Sequence, residues 1–308
     1  MGGLAMTRIR GAAIILAMLI AALAAAVAAT VFADQQRWGR TVELRRDQVQ
    51  AQALAMAGVQ WARRILDDDA RRSEIDHLGE PWALALPPIP TEDGEIRGSI
   101  ADAQGRLNIN ALGYAVESSP EHARLAALFA QRGAPSHALA VIGDWIDQDV
   151  TVRESGAEDA YYLARAVPHL AGNGPMLRVA ELSFVKGMTS RALSAVLPFL
   201  SALPTGTPVN VNTAPPEVLA AIANNLVGER LEAFVTDRAR KPFTTVAEFR
   251  ARLPEGATLA SDFGLSVGSR YFYVTIEARQ GATRSRARAL VRRGGGGAES
   301  AIVWQIVE

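Results

Sequence analysis

The chain has 308 residues, 32 Lys plus Arg against 32 Asp plus Glu, a formal net charge of +0 at pH 7, 49% hydrophobic residues and no cysteine. Zero net charge gives no global attraction to nucleic-acid phosphate, and the lack of cysteine excludes thiol chemistry and disulfide staples. The four histidines, His77, His122, His137 and His169, are scattered without an HExxH pairing, and neither a GxSxG elbow nor a Walker loop occurs.

The first eleven residues form a short leader containing Arg8 and Arg10, with no acid, and ending in Gly11. An apolar, uncharged run follows from Ala12 to Ala33. At 1.5 Å per residue it reaches about 33 Å, enough to cross a hydrocarbon core of about 30 Å as one helix. A secretory signal would have a shorter apolar core and a small-residue cleavage site after it. The run therefore reads as a membrane anchor, and the basic leader places the N-terminus in the cytoplasm with residue 34 onward outside. Eleven of its residues are alanine, which makes insertion weak compared with Leu, Ile or Phe.

No proline or glycine occurs between Ala12 and Trp38, so the helix is predicted to continue past the membrane. Val42, Val49 and Met56 recur at seven-residue steps beside Leu54, Trp61 and Ile65, and these are the expected packing face. Arg45, Arg46, Asp47, Gln48 and Gln52 supply the polar side. The helix is expected to end near Asp67-Asp68-Asp69.

Asp93-Gly94 opens an alternating stretch through Ile96, Ser99 and Ile100. Gln104-Gly105 is expected to turn it back into Leu107, Ile109 and Leu112 as a hairpin. Near the C-terminus, Tyr271 to Ile276 is a strong strand, Gln280-Gly281 turns it into Ser285 to Val291, Gly294 to Gly297 is a flexible loop, and Ala301 to Val307 is a last strand. More than 150 helical residues lie between the two β blocks. The economical reading is α+β: a long N-terminal helix packed on one antiparallel sheet, interrupted by a large inserted all-α domain. The expected divisions are a leader at 1–11, the membrane part of the helix at 12–33, the first part of the sheet domain at 34–110, the insert at 111–267 and the closing strands at 268–308.

Within the insert, Asp144, Asp147, Asp149, Glu154, Glu158 and Asp159 fall within sixteen residues, with Gly156 allowing a tight reversal between them. So dense an oxygen set without His or Cys suits Ca²⁺, which takes six to eight oxygen ligands. The spacing is not that of an EF-hand. The expected ligands are Asp147, Asp149, Glu158 and Asp159, with Asp144 next and Glu154 last. The competing reading is a solvated acidic loop bridged to Arg153. Trp145, Tyr161 and Tyr162 flank the acids and are expected to form core around them. An acid pair such as Asp144 and Asp147 could also serve acid-base catalysis, but metal ligation is the commoner use of such a cluster.

Further on, Thr213 is an N-cap candidate before Pro215-Pro216, and Val218, Leu219, Ile222 and Leu226 make an apolar stripe. Lys241 to Phe249 opens another helix in a similar style. Paired short helices of this kind resemble helix-hairpin-helix modules, which bind DNA backbone. The turn Leu226-Val227-Gly228-Glu229, however, has one glycine followed by an acid, so DNA binding is disfavoured.

The leader ending in glycine, the apolar helix starting directly after it and the amphipathic extension together resemble a type IV prepilin or type II secretion pseudopilin. That resemblance implies cleavage between Gly11 and Ala12 by a membrane-embedded prepilin peptidase, with methylation of the new amine. Most such proteins carry a glutamate at the fifth mature position, where this chain has Leu16. A carboxylate at that depth costs a few kcal/mol unless paired, so its absence resembles the K-type minor pseudopilin, general secretion pathway protein K, which caps the pseudopilus. Three segments extend the likeness: Gly105 to Asn110, Asp144 to Asp149 with Gly156 to Tyr162, and Asn210 to Leu219. It implies a pilin-like fold interrupted by a helical domain, Ca²⁺ in that domain, and a non-enzymatic role in exporting folded proteins across the outer membrane. The implied partners are I-type and J-type minor pseudopilins, the major pseudopilin, the prepilin peptidase and the inner-membrane assembly platform, with no nucleic acid. Leu16, Leu19 and Leu23 would pack on partner helices once the subunit leaves the bilayer. The implied location is the inner membrane as a single-pass protein with a periplasmic body, and the pseudopilus tip after assembly. The alternative within assembly proteins is a minor type IV pilin.

Overall fold

Helix α1 (Ala5–Asp69) runs without interruption for 65 residues. The structure is a computed structural model, and it describes residues 5–84, 87–114, 116–135, 137–295 and 298–308, with side chains from Ala12 onward. The 58 residues from Ala12 to Asp69 include a window long and apolar enough to cross a membrane, and they extend about 87 Å at the standard rise. Ile14, Leu16, Leu19, Leu23 and Phe32 are all exposed along this first half. Ala12 is likewise exposed, whereas the surroundings of Gly11 lie outside the described residues.

Burial begins at Ala51. The covered face consists of Ala51, Ala55, Val59, Ala62 and Leu66, with Leu54 and Ile65 packed at its margins. Of the rest of the expected packing face, Val42, Val49 and Met56 are exposed, and Trp61, half exposed, lines a cleft at the sheet's β2 side with Ile65, Ile96 and Ile100. The reason is the distance of approach. Small side chains let the helix axis sit close to the sheet, whereas a row of Val, Met and Trp would hold it off. Gly58 shows how tight the contact is, since a Cβ there would lie 2.7 Å from Ile276 Cγ2.

Five antiparallel strands make the sheet: β1 (Ile89–Thr91), β2 (Gly94–Asp102), β3 (Tyr271–Gln280), β4 (Thr283–Arg292) and β5 (Ala301–Val307), in that spatial order. Strict alternation in β3 sends Phe272, Val274, Ile276 and Ala278 toward α1, as expected for a half-buried strand. Ala287, Ala289 and Val291 of β4 join them, and Trp82 closes the cluster edge-on to Phe272 at 5.1 Å. The hairpin at Gln280-Gly281 and the last strand lie where the sequence placed them.

The hairpin expected at Gln104-Gly105 is not formed. The turn onto β2 lies earlier, where β1 pairs with β2 around Glu92-Asp93. After Asp102 the chain leaves the sheet: Leu107-Asn108 pairs in parallel with Leu200-Ser201, and Ile109–Gly113 forms a 3-10 turn. Gly105 serves close packing, because a Cβ would meet the Thr213 carbonyl at 2.9 Å.

The insert is helical: α2 (Pro120–Gln131), α3 (Ala138–Ile146), α4 (Asp159–Leu163), α5 (Ser190–Val196), α6 (Pro216–Ile222), α7 (Glu229–Arg240) and α8 (Val246–Ala251), with three two-residue strand pairings between them. Several starts are fixed locally; Ser119 accepts from His122 N and Thr245 from Glu248 N, the N-cap bonds that their hydroxyls supply. One core joins these helices, and it begins at Leu107 and runs to Leu265. Leu107 and Ile109, which lie before residue 111, thus pack inside the insert. An aromatic triad belongs to it, with Phe234 stacked on Phe243 and Phe249 edge-on to both, at centroid distances of 5.3–5.8 Å.

The approach of α1 to the sheet gives a direct test. Gly58→Val should lower unfolding stability by about 1–3 kcal/mol through overpacking, despite valine's better helix propensity. Ile276→Ala, which removes the Cγ2 that a Cβ at position 58 would strike, should cost less in the Gly58→Val chain than in the unaltered one, and a double-mutant cycle by chemical denaturation measures the coupling.

Candidate functional site

The acidic segment begins on the last turn of α3. Asp144 is fully buried there, and Asp147 ends the helix with extended backbone. The loop then returns through Arg153 and Gly156 to Glu158 at the start of α4. Both Asp144 oxygens accept from Arg153 N, at 3.4 and 3.1 Å. Gly156 has to be glycine, because a Cβ would overlap Asp144 Oδ2. The turn expected at Gly156 is therefore also a point of contact between the two acidic halves.

Asp144, Asp147 and Glu158 all lie inside the protein, each with 8% or less of its surface exposed, although among the described residues their ligand atoms do not all come within 4.8 Å of one another. The Arg153 guanidinium bridges two of them, 2.8 Å from Asp147 Oδ2 and 3.5 Å from Asp144 Oδ1. Both Glu158 carboxylate oxygens and Asp147 Oδ1 are buried without a hydrogen-bond partner. Burial, reinforced by Asp144, Asp147, Asp149 and Asp159, pushes Glu158 up to about 7. Burial also raises Asp144 and Asp147, against the pull of Arg153. Of the remaining candidates, Asp149 is exposed and accepts from Thr151 N at 2.8 Å. Asp159 Oδ1 accepts from Ala171 N at 2.8 Å, which fastens the following loop. Glu154 is exposed.

Aromatic rings wall this site. Trp145 and Tyr162 are buried and meet edge to face at 5.0 Å, and His169 stands 5.1 Å from Tyr162. Tyr161 is exposed at 40% and carries Lys186 Nζ 5.0 Å from its ring centre. Such surroundings lower the local dielectric, which raises the cost of leaving carboxylates unneutralised. The unpartnered oxygens of Glu158 and Asp147 thus fit a hard divalent cation that binds through oxygen.

A second acidic group, Asp69, Asp76 and Glu80, brings its ligand atoms within 4.8 Å of one another. Sequence reading missed it, although the Asp67-Asp68-Asp69 run marks its first member. Here an internal cation meets part of the charge, though burial and then Glu80 still push Asp69 up to about 6 and burial raises Asp76. Arg293 pairs with Asp69 and reaches Asp76 Oδ2 at 2.6 Å and the Ser269 carbonyl at 2.7 Å. Glu80 Oε2 accepts from Trp82 Nε1 at 2.9 Å.

This group is half of a buried joint between insert and sheet. Asp102 Oδ2 accepts from Asn210 Nδ2, Thr213 Oγ1 and Ser269 Oγ, at 3.1, 2.6 and 2.6 Å, and Asp102 Oδ1 from Gln104 N at 2.7 Å. Burial pushes Asp102 up to about 6 despite these four donors. The asparagines of the two Asn-rich segments act as substitute peptide groups. Asn212 accepts from Phe243 N at 2.8 Å and donates to Phe243 O at 2.9 Å. Asn110 does the same with Met176, at 2.8 and 2.9 Å. In the helix pair that resembles a DNA-binding hairpin, Glu229 and Glu232 occupy the first turn of α7, where a phosphate would meet like charge.

With this geometry established, comparison with known proteins is decisive. Two sequence-family profiles described as type II secretion system (T2SS), protein K, match residues 105–205 and 209–267. The chain belongs to that family. It is similar to the type II secretion system protein K of Pseudomonas aeruginosa, with 34% identity across 80% of this chain and 77% of that one. It is also similar to the Klebsiella pneumoniae protein of the same description, with 30% identity across 94% of each. Among solved structures it resembles a chain of the GspK-GspI-GspJ complex from the enterotoxigenic Escherichia coli type II secretion system. The TM-score is 0.77 at 25% identity, covering 87% of this chain and 99% of that one. The role of this protein K homologue is that of a minor pseudopilin in type II secretion. Its single long apolar N-terminal helix fits inner-membrane anchoring.

The asparagine clamps yield a quantitative test. Asn212→Ala leaves the Phe243 N–H and C=O unpaired in the core, and at about 1–3 kcal/mol per orphaned group it should destabilise by about 2–4 kcal/mol. Asn212→Asp should do no better, because a second acceptor would then face Phe243 O. Urea unfolding of the three proteins checks both.

Proposed function

We propose that the chain, trimmed between Gly11 and Ala12, caps the pseudopilus as the terminal minor pseudopilin. There it joins I-type and J-type minor pseudopilins above the major pseudopilin, and it acts in assembly rather than in catalysis. The carrying observation is the pairing of two features on one rod. The first half of α1 is apolar and uncovered, with Leu16, Leu19 and Leu23 outward. The far end bears a helical body larger than the sheet domain itself. A helix of small residues suits close packing with other membrane helices, and a body of that size suits the end of a fibre, since repeating it along a packed shaft would cause overlap. The leader charge supports a cytoplasmic N-terminus and a periplasmic body. Processing by the prepilin peptidase and extraction through the inner-membrane assembly platform complete the reading.

Coexpression of the full chain with I-type and J-type subunits tests it. The expected result is a ternary complex in detergent whose K-type member begins at Ala12. A chain that elutes alone, or one whose mature form starts elsewhere, would overturn the assignment.

In the same reading, the acidic site of the insert holds Ca²⁺ through Asp144, Asp147 and Glu158, with Asp149 at its mouth and Asp159 bracing the loop. The support is the set of buried carboxylate oxygens that lack partners. A divalent ion would supply the positive charge that one arginine leaves unmet. The sign of the pH effect follows. Glu158 titrates near 7 folded against 4.5 unfolded, so its contribution to metal-free stability is present below pH 4.5 and is lost as pH rises through 7. In chelator, the melting temperature should therefore fall between pH 5 and 7.5. Millimolar CaCl₂ should raise it at pH 7.5 and less at pH 6, where protons compete for Glu158. Equal melting with chelator and with calcium at pH 7.5 would remove the ion from the account.

A further inference from the structure

We propose that Arg153 is an internal competitor for the cation at the acidic site, so that its guanidinium latches the loop when the ion is absent and must swing out when the ion enters. This inference rests on the calcium reading above. The backbone and side chain of Arg153 have separate attachments. Its N–H is fixed on Asp144, which keeps the loop in place. Its side chain is 41% exposed and bridges Asp147 and Asp144 from the solvent side, free to leave. Gly143 makes room for it, since a Cβ there would fall on Arg153 Nη1.

The bridge takes one oxygen from each of two acids. It reaches Asp147 Oδ2 and Asp144 Oδ1, while Asp147 Oδ1 and both oxygens of Glu158 stay buried and unpaired. Glu158 is 94% covered and follows by two residues Gly156, whose backbone packs directly on Asp144 Oδ2, so its free oxygens stand beside the same acids. A dication entering among them meets the guanidinium as a like charge on shared ligands. The neighbouring cation, Lys186, is committed elsewhere. Its Nζ donates to the Gly156 carbonyl at 2.9 Å and lies over Tyr161, so it has no part in the exchange.

The consequence is an affinity set below what the acids alone would give. A latch that keeps about nine-tenths of the molecules closed weakens apparent binding about tenfold, and removing it returns that factor. The test uses the full-length chain in detergent, titrated with CaCl₂ by calorimetry and melted in chelator and in saturating calcium. Arg153→Gln should bind calcium about tenfold more tightly, melt lower than the unaltered chain in chelator, and melt at the same temperature in saturating calcium. Arg153→Lys, which keeps the charge but loses the planar fork, should tighten binding by a smaller factor; it also serves if the glutamine variant does not fold. Unchanged or weaker calcium binding in these variants, with the unaltered chain still binding, would overturn the latch while leaving the calcium site standing. No heat and no melting shift in any of the three would instead remove the calcium reading, and the latch with it.

Discussion

Inserting a helical domain between two paired strands imposes one constraint on everything else: the point of exit and the point of return must be neighbours and must stay so. Asp102 pairs with Phe272 in the sheet, and Ala103 N still donates to Tyr271 O at 2.9 Å before the chain departs. Beyond that point the ladder stops and side chains take over. Gln104 accepts from Arg270 N and Tyr271 N, and donates to Pro208 O. Asp102, Asn210, Thr213 and Ser269 converge behind it, and Arg293 ties Asp76 and Asp69 to the same place. A hydrophobic joint could bury as much surface but would fix orientation less strictly. Directional bonds at low dielectric fix an angle, provided every member is satisfied. The insert can then be held at a defined attitude to the sheet it interrupts.

The rod divides its residues between two tasks. Toward the sheet it offers Ala51, Ala55, Gly58 and Ala62, which let the helix settle against Ile276 and its neighbours. Outside that contact it offers Val42, Val49 and Met56, continuing the exposed apolar surface of the first half. A hydrophobicity pattern weighs large side chains most heavily, so it found Leu54 and Ile65 at the margin of the core but also took Val42, Val49 and Met56 for it. Packing against a sheet selects by size as well as by polarity. The same letters that misled about the core mark the side of the rod that the folded chain leaves free.

How far the sequence could be read follows a similar division. Period and punctuation identified α1 to its end at Asp69, the alternating strands after Tyr271, the Gln280-Gly281 turn and the last strand, because each rests on local chemistry. The hairpin at Gln104-Gly105 failed because glycine there serves contact with Thr213, a residue more than one hundred positions away. The asparagine segments were recognisable as motifs, but their work as peptide mimics for Met176 and Phe243 depends on partners that only folding brings near. At the acidic site, the clustering of Asp144, Asp147 and Glu158 was legible. That Asp159 would brace Ala171 and Asp149 would stay outside was not, since neither follows from spacing.

The two acidic groups of the molecule illustrate different solutions to one electrostatic problem. At the joint, Asp76 meets a guanidinium squarely on both oxygens, and the arginine is itself buried, so the hydrogen bonds close within the protein even though burial keeps Asp69 and Asp76 raised. In the insert, Arg153 approaches from solvent, touches one oxygen of each of two acids and leaves Glu158 with none. Burying a carboxylate without a partner is among the costlier choices a fold can make. The first arrangement leaves none of its buried carboxylate oxygens without a hydrogen bond and serves architecture. The second leaves three buried carboxylate oxygens unpaired, and it is this free oxygen, rather than the balance of charge, that sets the two groups apart within one chain.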